Sequence, residues 1–202
     1  KILEKHIRYF KYKIKFKEID FKKNLNKINP DIINLINIEY NQNKIFENIS
    51  KKSNAYIKKS FDIALQILNK GITNKLINGP ISKKTFLNKN FYGITEYLAQ
   101  KTNSKNIAMI IYNKSLSVCP LTTHLPVKYI AKKITKSAII NKVYIINSFW
   151  RKYFNRKPKI AITGLNPHCE SIDIFNEDEK IIKPTIKLLK KKIMIFRDLF
   201  QQ

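Results

Sequence analysis

Glycine is scarce in this chain, with four in 202 residues, and histidine, cysteine and tryptophan number only three, two and one. Each glycine is therefore informative about local geometry. No GxGxxG fingerprint is present, so no dinucleotide-binding turn is assigned from sequence. Cys119 and Cys169 lie far apart and form no CxxC motif. This excludes a disulfide framework, makes a reducing compartment the default, and predicts two buried, inert thiols. No apolar run is long enough to span a bilayer, and charges interrupt every candidate. The first residue is Lys1 and no secretory core follows it. The expectation is a soluble, cytoplasmic protein whose true start is missing.

Acidic residues are also few. Fourteen Asp and Glu face 40 Lys and Arg, giving a formal charge of +26. Such a balance ordinarily suggests a polyanionic partner. Here the lysines are dispersed and accompanied by many Ile and Asn residues, the products of A/T-rich codons. Base composition accounts for the charge without nucleic acid. A basic nucleic-acid-binding domain is kept only as a remote alternative, because no aromatic-basic recognition motif accompanies the charge.

The hydrophobic fraction of 44% is enough for an ordinary core. Apolar alternation predicts a strand over Tyr12–Ile19, and a second apolar run covers Ile32–Ile38. Ser53 and Asn54 offer N-cap chemistry for a helix over Ala55–Asn69, which Gly71 ends. Ile57, Phe61, Ala64, Leu65 and Leu68 fall on one stripe of that helix. A strand at Lys75–Asn78 then runs into Gly79-Pro80. Helices are predicted over Ser82–Leu87 and Thr95–Thr102. Ile107–Tyr112 and Leu116–Leu121 read as a hairpin. Helices follow at Val127–Lys133 and Lys136–Phe154, then a strand at Lys159–Thr163 that stops at Gly164. A last helix covers Glu177–Lys191, where Pro184 predicts a kink or a later start. The alternation predicts an α/β fold with a mixed sheet layered by helices.

Three segments sit where predicted strands end, the usual place for ligand sites in α/β proteins. Asn78-Gly79-Pro80-Ile81-Ser82-Lys83 reads equally as an anion cradle at a helix start or as a structural turn with a solvated lysine. Leu121-Thr122-Thr123-His124-Leu125-Pro126 and Gly164-Leu165-Asn166-Pro167-His168 each place a histidine just past an apolar strand, in a proline-stiffened loop. Imidazoles at such positions are good ligands for a divalent metal. A bound metal would lower the pKa of a substrate hydroxyl and polarise the carbonyl that forms as hydride leaves. A catalytic zinc takes three protein ligands, and no third histidine is in context. Glu170, Asp173 and Glu177 are candidate carboxylates, and spacing does not choose among them. His6 reads as a surface residue.

Four motifs in order carry a resemblance: Gly-Pro-Ile-x-Lys at 79–83, Gly-x-Thr-Glu-Tyr-Leu-Ala at 93–99, Thr-Thr-His-Leu-Pro at 122–126 and Gly-Leu-Asn-Pro-His at 164–168. Together they resemble the 4-hydroxythreonine-4-phosphate dehydrogenases, over about Ser53 to Pro184. The resemblance implies a two-domain architecture similar to isocitrate and isopropylmalate dehydrogenases, with the active site between domains. It implies a homodimer whose metal site draws on both subunits. It implies NAD-dependent oxidation of 4-phosphooxy-L-threonine, then decarboxylation to 3-amino-2-oxopropyl phosphate, in pyridoxal phosphate synthesis. His124 and His168 resemble two of three metal-ligating histidines, the metal being zinc, cobalt or magnesium. Thr95 resembles a substrate-contacting threonine. A relative acting on 4-phospho-threonate or 4-phospho-erythronate is the alternative.

The departures are specific. Ile94 stands where the family has histidine, and Cys169-Glu170 replaces Ala-Gly. The Gly-Asp-Pro segment of the family's start is absent, as is its C-terminal part with the third histidine. The chain is expected to be a fragment lacking both ends, and inactive in isolation. Codons for Asp198-Leu199-Phe200-Gln201-Gln202, read one nucleotide earlier, can encode Gly-Pro-Phe-Ser-Ala, which resembles the family's continuation. A frameshift before Asp198 is the expectation, and the nucleotide sequence tests it.

Overall fold

A computed structural model describes residues 2–23, 25, 28–88, 90–165, 168–169 and 172–193, with side chains to 191. The terminal segment that carries the frameshift expectation lies outside these residues. The chain divides into two compact units, Lys1–Leu98 and Ala99–Gln202. Among the described residues no helix is long and apolar enough to cross a membrane.

The first unit opens with α1 (Ile2–Tyr9). Strands β1 (Phe16–Glu18) and β2 (Ile33–Leu35) then pair in parallel, with Phe16 opposite Ile33 and Glu18 opposite Leu35. A parallel pair needs a crossover of a dozen or more residues, and segment 19–32 supplies it. Both strands are shorter than the apolar runs that predict them.

Helix α2 (Asn54–Asn69) buries Phe61, Ile63 and Leu65. Its start differs from expectation. Lys51–Ser53 form a 3₁₀ turn, and Ser53 is already helical with no side-chain cap bond. The Asn54 amide instead donates to the Thr85 carbonyl, 3.0 Å away. The predicted end holds: Gly71 has φ +72 and its N–H bonds to Leu68 O at 2.9 Å. Only glycine adopts that left-handed stop without penalty. Gly71→Ala is expected to cost about 1 kcal/mol although the space around it is open, measured by urea denaturation.

Helices α3 (Lys83–Phe86) and α4 (Ile94–Lys101) complete this unit, the latter running on past Leu98. Phe61, Leu87 and Tyr97 form its core, with Ile57, Ile81, Phe86, Phe91, Ile94 and Leu98 packed against them. Phe61, Phe86 and Phe91 meet the Tyr97 ring edge-on, with centroids 5.3–5.4 Å apart. Such pairs add about 0.5–1.5 kcal/mol beyond area burial. The strand predicted at Lys75–Asn78 is not formed: the segment bridges to no described residue, and Ile77 is 95% exposed. Strand propensity describes a residue's fit to a pleated surface. It cannot supply a partner.

In the second unit the predicted hairpin reduces to one antiparallel bridge, Ile111 with Val118, closed by backbone bonds of 2.8 and 2.9 Å. The helix predicted at Val127–Lys133 is two 3₁₀ turns, Val127–Tyr129 and Ala131–Lys133. Val127 is 84% exposed and Ile130 alone of this stretch packs on the core, so a longer helix would gain little. Helix α5 (Lys136–Phe154) has the predicted bounds. Thr135 caps it, accepting from the Ala138 N–H at 3.2 Å, and left-handed Asn155 ends it.

The predicted Glu177–Lys191 helix becomes a π turn, Asp178–Ile182, leading into α6 (Lys183–Ile193). Pro184 has no N–H to give to the carbonyl four residues back, so the chain widens before it. An exposed Glu179–Lys183 ion pair ties the turn. That hydrogen-bonded partner holds the Lys183 pKa above the ordinary lysine value. Ile134, Ile139, Val143, Ile182, Ile186 and Leu189 form the core. Ile160 and Ile162 pack on it from the segment predicted as a strand. Burial alternates residue by residue from 158 to 164, as a half-buried strand requires, but only Ile160 stands in a bridge. The α/β class therefore stands. The mixed sheet is represented, among the described residues, by one parallel pair and isolated bridging.

Candidate functional site

Asn78–Lys83 leads irregularly into α3. The Asn78 amide donates to Gly79 O at 3.0 Å, and Gly79 faces open space. Ser82 caps α3: its Oγ accepts from the Thr85 N–H at 3.4 Å and donates to Thr85 Oγ1 at 2.9 Å. A donor that an anion would need is thus already used, and Lys83 is exposed. Of the two readings open from sequence, this geometry matches the structural turn.

Thr95 lies in the first turn of α4 and is half-buried. Its neighbour Ile94 is turned to the aromatic core around Phe61, Leu87 and Tyr97. The position where the resemblance implies histidine thus holds a packing side chain with no polar atom.

His124 and His168 belong to separate loops of the second unit, and both are exposed. His124 has φ +55, a left-handed conformation uncommon outside glycine, Asn and Asp. Strain of this kind persists where the surroundings over-determine it, here half-buried Thr122 and Thr123 before it and Pro126, which opens a 3₁₀ turn, after it. His168 stands next to Cys169, itself at φ +54.

The base of the second loop is tight. A Cβ on Gly164 would lie 2.5 Å from Cys169 Sγ and 3.1 Å from Asp178 Oδ1. The Leu165 N–H is shared by both Asp178 oxygens, at 3.3 and 3.4 Å. Asp178 is 1% exposed. Its place at the start of the last predicted helix is where acids ordinarily suit the helix dipole in solvent. Its burial, which depends on the chain returning to Gly164, was not visible in the sequence.

Among the described residues the candidate carboxylates do not complete a metal site. Glu170 lies outside the described residues, as do Asn166 and Pro167. Asp173 is exposed and accepts from the Phe175 N–H at 3.2 Å. Glu177 is half-buried. Among the described residues no three His, Cys, Asp or Glu side chains are grouped to hold a metal. The donor chemistry of the two imidazoles suits a divalent ion, and their number suits two positions of a three-ligand centre.

Neither cysteine is in a disulfide, and both are half-buried rather than fully buried as sequence predicts. Burial pushes the Cys119 thiol above its ordinary pKa, partly offset by the nearby Lys142 cation. The folded state then holds that proton more tightly, so the associated stability is present at low pH and is lost as pH rises past the ordinary thiol range. At neutral pH less thiolate is available. Iodoacetamide is expected to alkylate Cys119 more slowly in the folded chain than in urea, with the gap narrowing as pH rises, measured by peptide mass spectrometry.

Comparison with known proteins gives the family. A 4-hydroxythreonine-4-phosphate dehydrogenase of a Sulfurihydrogenibium species is 36% identical over 195 residues, covering 95% of this chain and 59% of the relative. The same enzyme of a Hydrogenobaculum species is 37% identical over 134 residues, covering 66% and 43%. A crystal structure of 4-hydroxythreonine-4-phosphate dehydrogenase from Klebsiella pneumoniae superposes with a TM-score of 0.74 at 21% identity, covering 91% of this chain and 58% of that one. That likeness shows the α/β fold. The chain thus spans about three-fifths of the length of these longer matches. The model of the pyridoxal phosphate biosynthetic protein PdxA matches residues 1–200, and the chain belongs to that family.

Proposed function

We propose that this chain serves the NAD-dependent oxidation of 4-phosphooxy-L-threonine. Hydride passes from C3 to NAD and the hydroxyl proton is released. The resulting β-keto acid loses carbon dioxide to give 3-amino-2-oxopropyl phosphate. The observation that carries the reading is the family match over residues 1–200, with two exposed imidazoles presented by the loops of its Thr-Thr-His-Leu-Pro and Gly-Leu-Asn-Pro-His motifs.

In this reading Thr95 contacts substrate through its hydroxyl. His124 and His168 ligate a divalent ion, zinc, cobalt or magnesium, with further ligands from outside the described residues. When bound, such an ion acts as a Lewis acid on the substrate oxygen and on the enolate of decarboxylation. The chain's own work is to hold two imidazoles at fixed points and to keep Thr95 on a helix anchored by an aromatic core. The working enzyme is a cytoplasmic homodimer, and the isolated 202-residue chain does not turn over.

A second reading is a relative acting on 4-phospho-threonate or 4-phospho-erythronate, which carry the same phosphate, carboxylate and oxidisable hydroxyl. The test grafts this chain into the Sulfurihydrogenibium enzyme in place of its matched segment. NADH formation is followed with each substrate. Turnover of 4-phosphooxy-L-threonine supports the first reading, and turnover restricted to the acids without an amino group supports the second. A folded chimera inactive on all three overturns both. NADH production by the isolated chain overturns its assignment as incomplete.

A further inference from the structure

We propose that Asp178 is a positioning residue: its buried carboxylate clamps the backbone at Leu165, beside Gly164 and Cys169, and so sets where the neighbouring His168 imidazole stands. The inference rests on the reading of His168 as a metal ligand only for its consequence, not for the clamp itself.

An acid placed to suit a helix dipole ordinarily sits in solvent. Asp178 is 1% exposed, and its carboxylate turns away from its own helix to a backbone N–H thirteen residues earlier. A buried carboxylate is costly unless hydrogen-bonded, so the Leu165 contact has a partner with a strong need for it.

Asp178 is itself held from both sides. The Asn176 side-chain oxygen, in a residue 8% exposed, accepts from the Asp178 N–H at 2.9 Å and the Glu179 N–H at 3.3 Å. At the other end the Lys183 N–H bonds to the Asp178 carbonyl, the five-residue step of the π turn. The widened turn ahead of Pro184 thus fixes the aspartate backbone.

The loop is fitted to that carboxylate. Gly164 lies so close to Cys169 Sγ and to Asp178 Oδ1 that no Cβ is accommodated without displacement. Leu165 is held by Asp178 at one side, and Cys169 packs on Gly164 at the other. His168 lies between these two anchors. Residues that orient a metal ligand in this way typically change metal affinity about 10–100-fold when removed.

The experiment uses the full chain, isotope-labelled, with Asp178→Ala and Asp178→Asn. Three readouts are taken: amide exchange of Leu165 against Val143 in α5, alkylation of Cys169 against Cys119, and cobalt(II) binding by visible absorption. Asp178→Ala is expected to speed Leu165 exchange and Cys169 alkylation about tenfold relative to their controls, the loss of a hydrogen bond to a charged group. Cobalt affinity is expected to fall about 10–100-fold. Asp178→Asn keeps one acceptor oxygen and is expected to recover most of each change. A merely structural aspartate would accelerate Leu165 and Val143 alike, and that result overturns the clamp.

Should Asp178→Ala fail to fold, Gly164→Ala presses on the same loop from the Cys169 side and is expected to give the same local signature. Unchanged Leu165 and Cys169 ratios in folded Asp178→Asn and Gly164→Ala proteins overturn the proposal. Loop readouts that change uphold the clamp; cobalt that binds neither the chimera described above nor its His168→Ala variant removes the metal reading instead.

Discussion

His124→Ala and His168→Ala are each expected to lower turnover of the completed chimera at least about a thousandfold, the equivalent of several kcal/mol of transition-state stabilisation. Each imidazole supplies one donor to a centre that ordinarily has three from protein. With one lost, the remaining pair binds a divalent ion poorly. His6→Ala is the control. Its Nδ1 lies 2.9 Å from Ile2 O within α1 and its ring packs against Phe46, so it is engaged locally. NADH formation under saturating substrate, together with metal content by atomic absorption, separates loss of metal from loss of fold. Full activity in either loop variant would remove that histidine from the proposed centre.

The second large effect concerns stability. Leu189→Ala is expected to destabilise the second unit by about 2–5 kcal/mol, the range for emptying a well-packed leucine site. Leu189 is 1% exposed and lies in a core of branched side chains, Ile134, Ile139, Val143, Ile182 and Ile186. Such side chains are stiff and collapse poorly into a void. The chain has one tryptophan, and Trp150 lies in this unit at 9% exposure. Its fluorescence during urea titration therefore reports the second unit. Ile174→Ala is the control, since Ile174 is 97% exposed. That change is expected to stay within about 0.5 kcal/mol.

Helices were the most legible part of the fold because their signals are local. The bounds of α5 agree with the sequence reading at both ends, where Thr135 caps and Asn155 stops it. The Gly71 stop of α2 was equally plain. Strands were less legible because a ladder depends on a distant partner. Ile160 and Ile162 show this: their alternation is correct and they face the core, yet no named strand forms around them. Pro184 signalled a break without revealing its form, a π turn that begins before the proline. At the site, two rare histidines in matched loops and Thr95 after a glycine were readable as residue types. Asp178 was not, because its meaning comes from the return of the chain to Gly164. Ile94 was readable as a departure, while its role in the aromatic core required coordinates.

The unpaired stretch 75–79 has a bearing on handling the chain in solution. Its side chains are exposed, and Ile77 stands almost wholly in water. Exposed apolar side chains favour association between copies. Mutual repulsion between copies carrying +26 each opposes that at low ionic strength. Added salt shortens the range of the repulsion and leaves the apolar contact intact. Colloidal stability of this molecule is therefore governed by electrolyte concentration, and dilute, low-salt buffers are the conditions that keep it dispersed.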